Sequence, residues 1–288
     1  MLNKILAEFV SYITCREGSK FQKLGYEIEE AEVVGEGRKD DEVSLYIHIP
    51  FCRTLCPFCC FNRYLFKEDK ARSYFKSLKK ELDLYIQKGF HFSDFYFGGG
   101  TPTVQMDELS DFIGYLKESF DVKRISLETT AREITPENVE LLKAMGINRL
   151  SIGIQSFDDD VLKSMGRVFL KGEELKEKLL LAEGNFDTLN ADFVFNFPGQ
   201  SLEQFAADVA AFKELGIDQA TFYPLMASPH KKDALERKFN RVDISRERAF
   251  YNIIQKELYD GGYQASTAWC FSRGARMIDE YIVDYDDY

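Results

Sequence analysis

Tyr46-Ile47-His48-Ile49-Pro50-Phe51-Cys52-Arg53-Thr54-Leu55-Cys56-Pro57-Phe58-Cys59-Cys60 is the stretch on which the fold of this chain turns. It starts inside a strand-length apolar run, Ser44–Ile49, and leads into four of the chain's six cysteines within nine residues. Disulfide scaffolds spread their cysteines over short secreted chains, whereas a tight cluster reads as metal binding. Three thiolates spaced C-x3-C-x2-C can wrap one face of a cubane 4Fe–4S cluster from a single loop, Cys52, Cys56 and Cys59 each taking one iron. The fourth iron then stays open for chemistry. A structural zinc site is the alternative, but it closes with four ligands in two pairs. Only Cys60 or His48 is near enough to be the fourth, and no second CxxC or His pair follows.

Outward from that loop the chain falls into a rhythm. Strand-length apolar runs at Ser44–Ile49, Asp94–Phe97, Arg124–Leu127, Arg149–Ile154, Asn190–Phe195 and Gln219–Leu225 alternate with charged, helically spaced segments. The segments are Asp69–Lys88, Asp107–Ser119, Pro136–Met145, Asp158–Met165, Glu173–Ala182 and Leu202–Leu215. This is the pattern of βα units on a parallel sheet, and the near-continuous apolar strands predict burial on both faces. Six units make either a partial (β/α)6 barrel or a doubly wound sheet. Both place functional residues at the carboxyl ends of the strands. Thr135 before Pro136, and Ser201 with Gln204, mark two helix starts. The expected organisation is a preface over 1–43, with a short amphipathic helix at Asn3–Thr14, a core over 44–226 and a C-terminal extension over 227–288. The extension is expected to carry a helix at Ser245–Leu258 and a less regular acidic, aromatic tail.

The chain has 288 residues, 45% of them hydrophobic, enough for a large core. Its net charge of −11 argues against nucleic acid as a partner, which would need a concentrated basic face. No basic segment precedes an apolar run at the N-terminus and no apolar stretch is long enough to span a bilayer, so the expected location is cytoplasmic. Most of the 25 Phe and 15 Tyr should be core.

A second motif follows the second strand: Phe97-Gly98-Gly99-Gly100-Thr101-Pro102-Thr103. Successive glycines let backbone approach a ligand closely. With the cysteine loop before it, the chain resembles the radical S-adenosylmethionine (SAM) superfamily. YIHIPFC and FGGGTPT are similar to its HemN-like branch, over roughly Ser44 to Tyr223. The resemblance implies an α/β radical SAM barrel, a 4Fe–4S cluster and one or two SAM molecules. It places Gly98, Gly99, Gly100 and Thr101 at the SAM amino group. It assigns further SAM contacts to Glu128 in SLETTARE, Gln155 in RLSIGIQSF, Arg167 in SMGR and Asp192 in ADFVFNFPGQ. Tyr46 and His48 stand near the cluster as candidate catalytic groups. By the same resemblance, SAM is cleaved reductively to a 5′-deoxyadenosyl radical, with electrons from a low-potential donor such as flavodoxin or ferredoxin.

One departure bears on the substrate. Coproporphyrinogen dehydrogenases of this branch carry a further cysteine two positions after the third ligand. Here Cys60 comes one place early and Phe61 fills that position. With PFCCFNRYLF, TFYPLMASP and DEYIVDYDDY, this turns the expectation towards a class C methyltransferase acting on an sp2 carbon of an aromatic quinone such as menaquinone, with a transient membrane contact. Phe222, Tyr223 and Met226 are candidates for an apolar pocket. The alternatives are a coproporphyrinogen III dehydrogenase, taking a porphyrinogen, and a non-catalytic haem chaperone. Cores of this branch usually continue past such an acidic segment, so the extension is expected to be incomplete at Tyr288.

Overall fold

The computed structural model describes residues 43–226 and 232–274. The expected Asn3–Thr14 helix, the preface apart from Val43, and the acidic aromatic tail lie outside them. Strand β1 (Val43–Ile49) leads into a two-residue pair, β2 (Phe51–Cys52) and β3 (Tyr64–Leu65), that brackets the cysteine loop. There follow α1 (Glu68–Gln87), β4 (Phe92–Gly99), α2 (Met106–Ser119), β5 (Arg124–Thr130), α3 (Pro136–Ala144) and β6 (Arg149–Gln155). Next come α4 (Asp159–Ser164), α5 (Gly172–Ala182), β7 (Thr188–Phe195), α6 (Leu202–Leu215), β8 (Gln219–Pro224) and α7 (Lys232–Phe239). The described part ends with α8 (Glu247–Asp260), β9 (Tyr263–Ala265) and β10 (Cys270–Arg273).

The main sheet runs β1-β4-β5-β6-β7-β8-β10-β9. Its first six strands pair parallel in chain order. A doubly wound sheet reverses its order at a switch point; no reversal occurs here, so the progression is that of a partial barrel with β1 at one edge. β10 and β9 then add antiparallel to β8. Neither strand is anticipated from the sequence: at three and four residues they are too short to show a period.

Local chemistry sets the helix starts. Thr135 Oγ1 accepts from Asn138 N at 3.2 Å, with Pro136 opening α3. Ser201 and Gln204 form the expected capping box, at 3.1 and 2.9 Å. Gly216 ends α6 with φ 71°, a left-handed cap.

Both faces of the sheet are buried, but not both are apolar. Phe95, Phe97, Leu127, Ile152, Ile154, Phe193 and Phe222 form one face, under the helices. The alternate positions, Ser126, Ser151, Asn190, Gln219 and Thr221, are polar and equally buried. They satisfy one another across strands: Asn190 Nδ2 donates to Ser151 Oγ at 2.8 Å, and Thr221 Oγ1 to Asn190 Oδ1 at 3.1 Å. Arg149 Nε donates to Gln219 Oε1 at 2.8 Å, and Gln219 Nε2 to Ser272 Oγ at 2.8 Å. Buried polar groups persist where they are paired. The expectation of continuous apolar strands is thus corrected to a two-residue alternation with a polar inner row. Phe222 is also corrected. It is fully buried and stacked on Phe193, ring centroids 5.1 Å apart, so it belongs to the core under the helices. Tyr223 is half-buried and Met226 exposed.

Candidate functional site

The polar inner row ends at the carboxyl ends of β1, β4, β5, β6 and β7, where the motif residues stand. The loop carrying Cys52, Cys56 and Cys59 rises from β1 through β2. Cys52 is buried, and Thr101 Oγ1 lies 3.6 Å from its sulfur. Burial pushes the Cys52 thiol up, while Thr101 and the charge of Arg63 pull it back. Arg63 also donates to the carbonyls of Cys56 and Cys59, cinching the loop on itself. Among the described residues, no three His, Cys, Asp or Glu side chains converge on one ion's position. Cys60 is half-buried in the same loop.

The glycine motif is a close approach between β4 and this loop. A Cβ on Gly100 would lie 2.7 Å from Phe51 O and 2.8 Å from Ile49 O. Gly100 N and Thr101 N donate to those same carbonyls, each at 2.8 Å. Gly99 has φ 107°, and its Cβ would meet the His48 ring at 2.4 Å. The histidine is held at both nitrogens. Its Nε2 lies 2.9 Å from Asn62 O, which can only accept, so Nε2 carries the proton and Nδ1 accepts from Tyr46 Oη at 3.0 Å. The structure thus joins Tyr46 and His48 as one unit against the loop, with the Tyr46 ring stacked on Tyr96.

Glu128 faces the glycines from β5. One carboxylate oxygen accepts from Gly99 N at 3.0 Å and the other from Tyr96 Oη at 2.8 Å. Gln155 ends β6 with φ 72°, and its Oε1 is buried without a hydrogen-bond partner. Such an orphan is costly and is the mark of a missing donor. Arg167 is buried, donates from Nη2 to Gly153 O at 2.9 Å, and places Nη1 3.8 Å from Cys56 Sγ. Burial disfavours its charge, and the cysteines of the loop support it. Asp192 is not the unpaired carboxylate its apolar neighbours imply: Ser151 Oγ donates to it at 2.7 Å and Asn190 Nδ2 at 2.8 Å. Burial, with the charge of Glu128 adding, still pushes it up to about 6.

Two features escape a sequence reading. An apolar satellite of Phe58, Val161, Met165, Phe197, Leu225 and Leu235 packs beside Cys56 and Cys59. Its members come from five separate segments, so no spacing announces them. The other is Asp208 on α6, buried, accepting from Ser156 Oγ at 2.6 Å and Phe157 N at 2.7 Å. Burial pushes its carboxyl up to about 6, against an ordinary 3.8, despite those hydrogen bonds. The fold therefore favours the protonated form, a contribution present below about pH 4 and lost as pH rises through 6. Urea unfolding of wild type and Asp208→Asn should show the wild-type advantage shrinking by about 3 kcal/mol over that window. A difference independent of pH contradicts the assignment.

The sequence profile of the radical SAM superfamily matches residues 46–212, from Tyr46 through the cysteine loop into α6. The chain belongs to the radical SAM superfamily. Its cofactors are accordingly a 4Fe–4S cluster and SAM. The heme chaperone HemW of Bacillus subtilis is 30% identical over 220 residues, 74% of this chain and 54% of that protein. The oxygen-independent coproporphyrinogen III oxidase of Escherichia coli is 32% identical over 234 residues, 77% of this chain and 50% of that protein. The solved structure of E. coli coproporphyrinogen III oxidase (HemN), a radical SAM enzyme, superposes with TM-score 0.72 at 31% identity. That match covers 82% of this chain and 56% of HemN. This radical SAM chain is thus HemN-like, and it spans about half the length of the curated relatives it matches. The residues present fit the two cofactors: three thiols on one cinched loop, a glycine turn against it, and a buried carboxamide oxygen lacking a donor.

Proposed function

We propose that Cys52, Cys56 and Cys59 ligate three irons of the cluster and that SAM binds between it and the ends of β4 to β7. The orphaned Gln155 Oε1 carries this reading, because it is a buried acceptor without a donor at the carboxyl end of β6, where the motif residues stand. Gly98, Gly99, Gly100 and Thr101 bring backbone and Glu128 to the amino group. Gln155, Arg167 and Asp192 hold the remainder, and Tyr46 with His48 braces the loop from β1. When bound, the reduced cluster supplies the electron that breaks a carbon–sulfur bond of SAM. The protein supplies orientation and exclusion of water, through the satellite around Phe58 and Phe197.

For the substrate we favour a porphyrinogen over a quinone. The named relatives are an oxidase of coproporphyrinogen III and a heme chaperone, and neither supports methyl transfer to menaquinone. The membrane contact tied to menaquinone loses its motive as well. No helix among the described residues is long and apolar enough to cross a membrane. A low-potential donor such as flavodoxin or ferredoxin would supply electrons, and a cytoplasmic setting suits such donors. The second reading, stoichiometric haem handling, is favoured by the HemW likeness. One incubation separates the readings: reduced holoenzyme, methyl-deuterated SAM, and coproporphyrinogen, menaquinone or haem. Carbon dioxide from a propionate, with 5′-deoxyadenosine, is the expected result. A deuterated methyl on the quinone, or tight haem binding with little SAM turnover, contradicts the porphyrinogen assignment.

A further inference from the structure

We propose that Asp208 is a positioning residue whose carboxylate clamps the turn after β6 and so aims Gln155 and Arg167 at SAM; this rests on the reading of those two side chains as SAM contacts. Gln155 sits at φ 72°, a region that non-glycine residues seldom occupy, and the ladder to β7 slips between Gly153 and Gln155. Something beyond strand pairing must hold that turn. The next two residues are both tied to one carboxylate: Ser156 Oγ donates to Asp208 Oδ2 and Phe157 N to Oδ1. Ser156 Oγ in turn accepts from Asp158 N at 3.0 Å, and Asp158 Oδ1 caps α4 through Asp160 N and Val161 N. α4 runs directly to Arg167, whose own N–H bonds Leu162 O at 2.8 Å. One buried carboxylate therefore underlies both side chains.

The opposite side of the turn is closed too. A Cβ on Gly172 would lie 1.8 Å from Phe157 O, so α5 presses on the turn with no room to spare. Ser156 is fully buried and Asp208 nearly so, on a helix face otherwise given to Phe205, Val209 and Phe212. Burying an acid among them is costly unless both oxygens are used. Here both are, and both on the segment that follows Gln155.

The test is a double-mutant cycle read as the SAM dissociation constant of the cluster-loaded enzyme, with iron content and the SAM-induced EPR change recorded alongside. Asp208→Ala should weaken SAM binding about tenfold at unchanged iron content. Asp208→Asn keeps an acceptor for Phe157 N and should stay within about threefold of wild type. Gln155→Ala should cost about tenfold by itself, and adding Asp208→Ala should cost at most about threefold more, since only Arg167 is then left to be aimed. Should Asp208→Ala not fold, Ser156→Ala, which removes only the hydroxyl arm, takes its place in the cycle. Unchanged affinity in Asp208→Ala, or full additivity with Gln155→Ala, overturns the clamp. Unchanged affinity in Gln155→Ala overturns the site reading itself.

Discussion

Gly100→Ala is expected to destabilise the protein by about 3 kcal/mol and to lower its Tm by about 6–10 °C. The reconstituted variant should also hold little iron. The added methyl would fall within 2.8 Å of three backbone atoms, Phe51 O, Ile49 O and Phe51 N. Backbone cannot rotate aside as a side chain can, so the end of β4 and the start of the cysteine loop must separate. The two hydrogen bonds from Gly100 N and Thr101 N to those carbonyls lengthen with them, and Cys52, the residue after Phe51, moves. Thermal unfolding and iron analysis check both halves. Gly114→Ala is the control. Its Cβ meets nothing within 4 Å on the exposed side of α2, so it should stabilise by about 0.5–1 kcal/mol. A Gly100→Ala protein with normal Tm and full iron contradicts the account of the turn.

The second large effect concerns the thiols themselves. Substituting Ser for Cys52, Cys56 or Cys59 should each reduce reconstituted iron from about four per chain to near background and abolish 5′-deoxyadenosine formation. Cys60→Ser should retain both. Adjacent thiols on one strand of loop seldom reach the same cluster, and the Arg63 and Arg167 contacts converge on Cys56 and Cys59. Iron loss only in Cys60→Ser, with the other three dispensable, sinks the ligand assignment.

Much of this was legible in the sequence, for reasons that differ by element. The six parallel strands and their helices announce themselves by hydrophobic period and by caps such as Thr135 and Ser201, which act locally. The cysteine loop and the glycine turn are legible because their chemistry demands fixed residue types at fixed spacing. Their mutual fit is not: that Gly99 yields to the His48 ring, and Gly100 to the carbonyls of Ile49 and Phe51, appears only when β1 and β4 pair. The polar inner row read as apolar strands because its members are bonded across strands far apart in sequence, as Asn190 is to Ser151 and Thr221. Phe222 looked like a candidate for a pocket wall and is core because Phe193 covers it. Asp208 is one of three acids on α6 and stands in the apolar stripe of Phe205, Val209 and Phe212, a spacing that is visible in the sequence, but only its depth and its two partners show what it does.

The most direct measurement is the EPR spectrum of the reduced, anaerobically reconstituted protein before and after SAM is added. The proposed site predicts a 4Fe–4S signal whose g values shift on addition of SAM, with about tenfold more SAM needed to produce the shift in Gln155→Ala. A cluster signal that is indifferent to SAM, or metal bound as a single zinc ion, would contradict it.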